Sequence, residues 1–154
     1  MLYVAYGSNM NLEQMAYRCP NSKVVGNGKL CGCKLVFNIH ADVIKGNEND
    51  NVPVVVWDIA DEDWRMLDMY EGYPSYYVKE TVNVILDNGK EEEAVVYVMA
   101  DNRKGICPPA IGYFNGIVKG YMDNGINTDY LFDALDYSRN NKTKYNQYKT
   151  KEMI

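Results

Sequence analysis

The chain has 154 residues, 47% of them hydrophobic, and a formal net charge of −5. That length supports one domain with a substantial core, and the acidic balance argues against a general nucleic-acid binder. No apolar run approaches the roughly 18 residues of a membrane-spanning helix.

The start of the chain has neither a basic flank nor a cleavable apolar segment, so a cytoplasmic protein is expected. Four cysteines, Cys19, Cys31, Cys33 and Cys107, then read as reduced thiols. Cys31-x-Cys33 is too sparse for a structural zinc site, and His40, the single histidine, supplies no second pair of ligands. Neither metal nor cofactor is expected. Charge is uneven along the chain. From Arg139 onward, Arg139, Lys142, Lys144, Lys149 and Lys151 stand against Glu152, a local +4 that leaves −9 for the rest. Residues 1–140 are read as one domain and 141–154 as a basic tail. A solvated terminus explains the tail, with RNA or an acidic partner as the alternative.

Leu2 to Tyr6 is a short apolar and aromatic run that predicts a buried strand. Gly7, Ser8 and Asn9 follow at once. Two readings stand side by side: a plain turn, or a glycine-hinged nest whose backbone N–H groups, Ser8 hydroxyl and Asn9 amide receive an anion. Asn11 to Arg18 predicts a short helix capped by Asn11, stopped at Cys19-Pro20-Asn21. Val24 and Val25 suggest a brief extended piece before the glycines at 26, 28 and 32. Lys34 to Ile39 alternates as a strand does. Ala41 to Asn51 is polar and ends in Asn-Glu-Asn-Asp-Asn, which predicts a surface loop.

Val52 to Ile59 is a second buried strand candidate. Asp61, Glu62 and Asp63 crowd the first turn of a helix that runs to Tyr70 or Glu71 and ends at Gly72 and Pro74. Val78 to Leu86 and Ala94 to Met99 predict strands around the hairpin signal Asp87-Asn88-Gly89. Residues 103–109 read as loop. Ala110 to Met122 has helical spacing despite Gly112, Gly116 and Gly120, which suggests close approach of a strand or ligand. Asp123-Asn124-Gly125 ends that helix, and Thr128 is expected to cap a last one to about Ser138.

One carboxylate is out of place. Trp64 and Leu67 define the apolar face of the helix from Asp61, and Glu71 falls on the same stripe. A carboxylate facing a core is costly unless paired, hydrogen-bonded or protonated. Neither Arg65 nor Lys79 lies within four positions of it. Burial and the negative end of the helix dipole both raise its pKa, which suits a general acid–base catalyst near neutral pH. The alternative is a helix that ends one residue early, with Glu71 in water. The turn Gly72-Tyr73-Pro74-Ser75-Tyr76-Tyr77 favours the inward reading, because it resembles a pocket wall more than a solvated loop.

These residues carry a recognisable pattern. Tyr6-Gly7-Ser8-Asn9 after an N-terminal strand resembles the signature of the γ-glutamylcyclotransferase-like superfamily, which includes AIG2-like and γ-glutamylamine cyclotransferase-like proteins. Leu67-Asp68-Met69-Tyr70-Glu71-Gly72-Tyr73-Pro74, then Tyr77 and Lys79, resembles its second motif. Val54-Val55-Val56-Trp57, Pro108-Pro109 with Tyr113, and Asp123-Asn124-Gly125 are similar to further family elements, so the likeness spans about Leu2 to Leu135. The resemblance implies an α+β fold, a small mixed β-barrel flanked by helices with a pocket at one end. It implies Glu71 as the catalytic acid–base, and Tyr3, Val4, Ala5, Tyr6, Gly7, Ser8, Asn9, Tyr77 and Tyr113 as substrate-binding residues.

The implied reaction is a lyase or acyltransferase one: a γ-glutamyl amino acid or γ-glutamylamine is cyclised to 5-oxoproline with release of the amine. The implied partner is that small molecule, with no nucleic acid and no membrane, and homodimerisation left open. A non-catalytic binder of small carboxylates and a relative acting on another γ-glutamyl or acyl substrate are the alternatives. A thiol nucleophile is disfavoured, since the cysteines have no base partner other than His40.

Overall fold

A computed structural model describes residues 1–143. Its centre is a closed five-stranded barrel in the order β1, β5, β2, β6, β7. The staves are β1 (Leu2–Ala5), β2 (Lys23–Cys31), β5 (Asn51–Asp58), β6 (Tyr77–Leu86) and β7 (Glu91–Met99). All pairings are antiparallel except the closing one, where Tyr3 of β1 lies parallel to Val95 of β7. The barrel is therefore mixed, in agreement with the α+β fold that the resemblance implies. A separate two-stranded hairpin joins β3 (Cys33–Asn38) to β4 (His40–Lys45). Among the described residues there are four α-helices: α1 (Leu12–Arg18), α2 (Trp64–Glu71), α3 (Ile111–Asp123) and α4 (Asp129–Asn140).

Apolar runs became the walls of the barrel. Val4, Ala5, Val54, Val55 and Val56 are all fully buried, as short β-branched runs on closely paired strands should be. The β6–β7 hairpin turns at Asp87–Lys90, where Gly89 has φ of +87°. Asn11 caps α1 as its type predicts, with the Gln14 N–H donating to its Oδ1 at 3.0 Å. Gly72, at φ +65°, closes α2 in the left-handed conformation that glycine adopts without strain.

Several expectations need correction. Val24 and Val25 do not form a brief piece: the strand runs nine residues through Gly26 and Gly28, with a bulge between Val24 and Gly26. Gly28 is there because β2 passes close to β6; an added Cβ would stand 2.6 Å from the Ile85 carbonyl oxygen. Ala41 to Asn51 is not all surface loop, since His40–Lys45 is β4 and Ala41, Asp42 and Val43 are buried.

Asp61–Asp63 forms a separate 3₁₀ turn before α2, and Asp63 is buried, accepting from the Asn21 N–H and the Ser22 hydroxyl. Thr128 makes no side-chain cap; the Asp129 N–H donates instead to Asn127 Oδ1 at 2.7 Å. What Gly116 and Gly120 of α3 approach is not a strand. A Cβ on Gly120 would lie 2.8 Å from the Asn11 nitrogen, and one on Gly116 2.9 Å from the Gln14 side chain. They let α3 lie directly on the segment that follows β1. Of the basic tail, Lys144, Lys149 and Lys151 lie outside the described residues.

Among the described residues no helix is long and apolar enough to cross a membrane. The four cysteines are unpaired, with Cys19 buried beside Asp63.

Candidate active site

At one end of the barrel the chain leaves β1 and tightens into a 3₁₀ turn over Ser8–Met10. Gly7 stands at the bend with φ −130° and ψ −129°, outside the left-handed region. Space there favours glycine: a Cβ would sit 3.1 Å from the Ala41 Cβ and 3.7 Å from the Tyr113 hydroxyl. The turn carries Ser8 and Asn9 inward, and the last residue of α2 meets it from the other side.

That residue is Glu71. Asn9 Nδ2 donates to Glu71 Oε1 at 3.0 Å and to the Tyr3 hydroxyl at 2.9 Å. The other end of the same amide is held too, since Arg18 donates to Asn9 Oδ1 at 2.7 Å. The Arg18 guanidinium also lies 3.5 Å from the centre of the Tyr70 ring, and the Tyr70 and Ser8 hydroxyls are 2.9 Å apart. Trp57 fixes the backbone behind, its indole N–H donating to the Asn9 carbonyl at 3.0 Å.

Burial pushes the Glu71 carboxyl up to about 7, against the opposing pull of the Arg18 charge and the Asn9 hydrogen bond. Glu71 lines the recess beside Asn9, in the inward orientation read from helix spacing. The counter-charge missing from the local sequence comes from Arg18 on α1, more than fifty positions earlier.

Tyrosines build the rest. Tyr3, Tyr6, Gly7, Ser8, Asn9, Ala41, Glu71, Tyr77, Tyr97 and Tyr113 line a narrow recess of about 30 Å³. The Tyr6 hydroxyl donates to the Tyr97 carbonyl at 2.6 Å. Ala41 on β4 holds two rings through its main chain: the Tyr77 hydroxyl donates to its carbonyl at 2.6 Å, and its N–H donates to the Tyr113 hydroxyl at 2.9 Å. Burial, with the Glu71 charge adding to it, raises the pKa of Tyr3, Tyr6, Tyr77, Tyr97 and Tyr113, so all five remain protonated near neutral pH. The Tyr97 hydroxyl donates to Asp68, which also pairs with Lys79 at 2.8 Å.

The recess opens into an outer chamber of about 330 Å³, and the two share Ser8, Glu71, Tyr77 and Tyr113. His40, Tyr70, Gly72 and Tyr76 complete the chamber's lining.

Tyr3, Tyr6, Gly7, Ser8, Asn9, Glu71, Tyr77 and Tyr113 are thus gathered around one recess. Val4 and Ala5 are not among its lining residues; both are fully buried in the barrel stave paired with β5. Sequence reasoning missed Arg18, Ala41, Tyr70, Tyr76 and Tyr97. Nothing marks Ala41, whose contribution is main-chain, whereas the position of Tyr97 directly opposite Lys79 on β6 is a pairing that only the register reveals. Among the described residues no cluster of histidine, cysteine and acidic side chains could hold a metal ion.

Comparison with known proteins bears on this geometry. The family model described as gamma-glutamyl cyclotransferase, AIG2-like, matches residues 3–115. A Methanocaldococcus jannaschii protein whose name places it with the gamma-glutamylcyclotransferases is 33% identical over 78 residues. That match covers 50% of this chain and 65% of the relative, just under two thirds of its length. The Homo sapiens gamma-glutamylcyclotransferase is 30% identical over 141 residues, covering 84% of this chain and 74% of that protein. A solved structure named as a gamma-glutamyl cyclotransferase superposes with a TM-score of 0.74 at 28% identity, over 86% of this chain and 85% of the other.

Proposed function

Because the chain belongs to the AIG2-like gamma-glutamyl cyclotransferase family, we propose that it cyclises a γ-glutamyl amino acid or γ-glutamylamine to 5-oxoproline, with Glu71 as acid–base. The observation that carries this reading is Glu71 itself: a carboxyl poised at about 7, held by Asn9 and facing a recess of protonated hydroxyls. Such a group takes up and returns a proton near neutral pH without a large penalty in either direction.

The substrate brings its own nucleophile, the α-amine, which is protonated at neutral pH. Glu71 removes a proton from that ammonium, and the freed nitrogen attacks the γ-carbonyl carbon. A ring C–N bond forms. The amide C–N bond then breaks as Glu71 returns its proton to the departing nitrogen; the second proton lost by the former ammonium leaves with the amine through solvent. The attack is intramolecular in the free substrate as well, so binding contributes what it gains by holding the chain bent in a near-attack geometry. The recess, small and edged by Ser8 and the start of the 3₁₀ turn, suits the α-carboxylate end of the glutamyl group. The carbonyl then stands where recess and chamber meet, beside Glu71, and the amine extends into the chamber.

The test is to incubate the protein with a panel of γ-glutamyl compounds and measure 5-oxoproline. Glu71→Gln keeps an acceptor for the Asn9 amide but cannot exchange a proton, and is expected to lower kcat by about 10³-fold with little change in binding. Full activity in that variant removes the acid–base assignment. Binding without product in the parent protein favours a small-carboxylate binder.

A further inference from the structure

The outer chamber is large enough for a ligand group of ordinary size, which typically needs about 300 Å³ or more. Half of its lining, His40, Tyr70, Gly72 and Tyr76, is not shared with the recess. Tyr76 and His40 are joined, ring nitrogen Nδ1 to hydroxyl, at 2.7 Å, and the His40 ring packs edge-on against Tyr113 at 5.0 Å. Burial holds the His40 ring below its ordinary pKa, so it carries no charge near pH 7. Glu71 is the sole acidic residue lining the chamber among the described residues, and its Oε1 already accepts from Asn9.

Two arginines pack against rings of this wall. Arg18 lies 3.5 Å from the centre of the Tyr70 ring and Arg103 lies 5.0 Å from that of Tyr76, yet neither lines the chamber. Aromatic rings attract cations through the negative face of the ring quadrupole. Here two of the rings already have a guanidinium against them. A cation brought to such a ring is attracted weakly and meets a like charge already against that ring. An uncharged aromatic or branched apolar group, by contrast, gains edge and face contacts with four tyrosines.

We propose that the chamber walled by His40, Tyr70, Tyr76 and Tyr113 receives the departing amine and selects one with an uncharged aromatic or branched apolar body, against one that carries a further positive charge. The inference rests on the γ-glutamyl reading above and narrows its substrate class.

Three probes of similar length separate the possibilities: γ-glutamyl-phenylalanine, γ-glutamyl-phenethylamine and γ-glutamyl-cadaverine. The two aromatic compounds are expected to exceed the cadaverine derivative in kcat/KM by about tenfold or more, chiefly through KM. Tyr76→Ala should bring that ratio toward one, Tyr76→Phe should preserve most of it, and Arg103→Gln should narrow it by improving the cadaverine derivative. Equal or inverted preference in the parent protein, with 5-oxoproline formed, overturns the chamber assignment and leaves the cyclisation reading standing. If no probe yields 5-oxoproline, the panel above decides the cyclisation reading, and calorimetric titration of the same three probes into Glu71→Gln decides the chamber. A tenfold ranking there upholds it; equal binding, or none, overturns it.

Discussion

The segment leaving β1 and the β3–β4 hairpin both wall the recess, but they contribute to it differently. From Gly7 to Asn9 the side chains matter: Asn9 spans Arg18, Tyr3 and Glu71, and the missing Cβ of Gly7 leaves room for the hairpin. From the hairpin it is backbone that matters, since Ala41 offers its N–H to Tyr113 and its carbonyl to Tyr77. What places that backbone is Asp42, fully buried, accepting from the N–H groups of Val43 and Met99 and from Asn38 Nδ2. A site can therefore depend on one stretch for chemical identity and on another for position alone.

This difference can be attacked by substitution. Asn9→Leu removes the donor to Glu71 and unties Arg18, and kcat should fall by about a hundredfold, the scale of a displaced catalytic group. Steady-state kinetics on the folded variant checks it; activity within about threefold of the parent would separate Asn9 from the chemistry. Asp42→Ala leaves buried donors without an acceptor and should cost about 3 kcal/mol in denaturant unfolding. Its effect on the site should come through KM, because the hairpin shifts while Glu71 and Asn9 stay.

Gly7→Ala forces a methyl against the Ala41 methyl and should cost about 1–3 kcal/mol as an overpacked contact. Ala41→Gly alone should change little, since its main-chain bonds persist. Together the two should restore most of the loss, and additive effects in that double-mutant cycle would contradict the contact.

The smallest expected effect concerns pH. Glu71 must be ionised to accept a proton, so activity should rise through a limb near 7. Arg18 holds that pKa down, so Arg18→Gln should move the limb to higher pH, read from the pH dependence of kcat/KM. A shift to lower pH would mean that the guanidinium does not act on Glu71 as placed.

The amino-acid sequence by itself determined the barrel's apolar staves, the helix that ends at Gly72, the β6–β7 hairpin and the inward heading of Glu71. Those features rest on local patterns: β-branched runs, a left-handed glycine and helical spacing. It did not reveal β4, because Asp42 in mid-strand reads as solvated, and two of its three donors, Met99 and Asn38, are brought to it by the fold. The Arg18 counter-charge, the Ala41 clamp and the aromatic chamber were likewise decided by tertiary structure. Each depends on a distance between residues far apart in the chain, and no local period encodes such a distance. The chemistry of one carboxyl was written in place, while its pKa and its neighbours were set by packing.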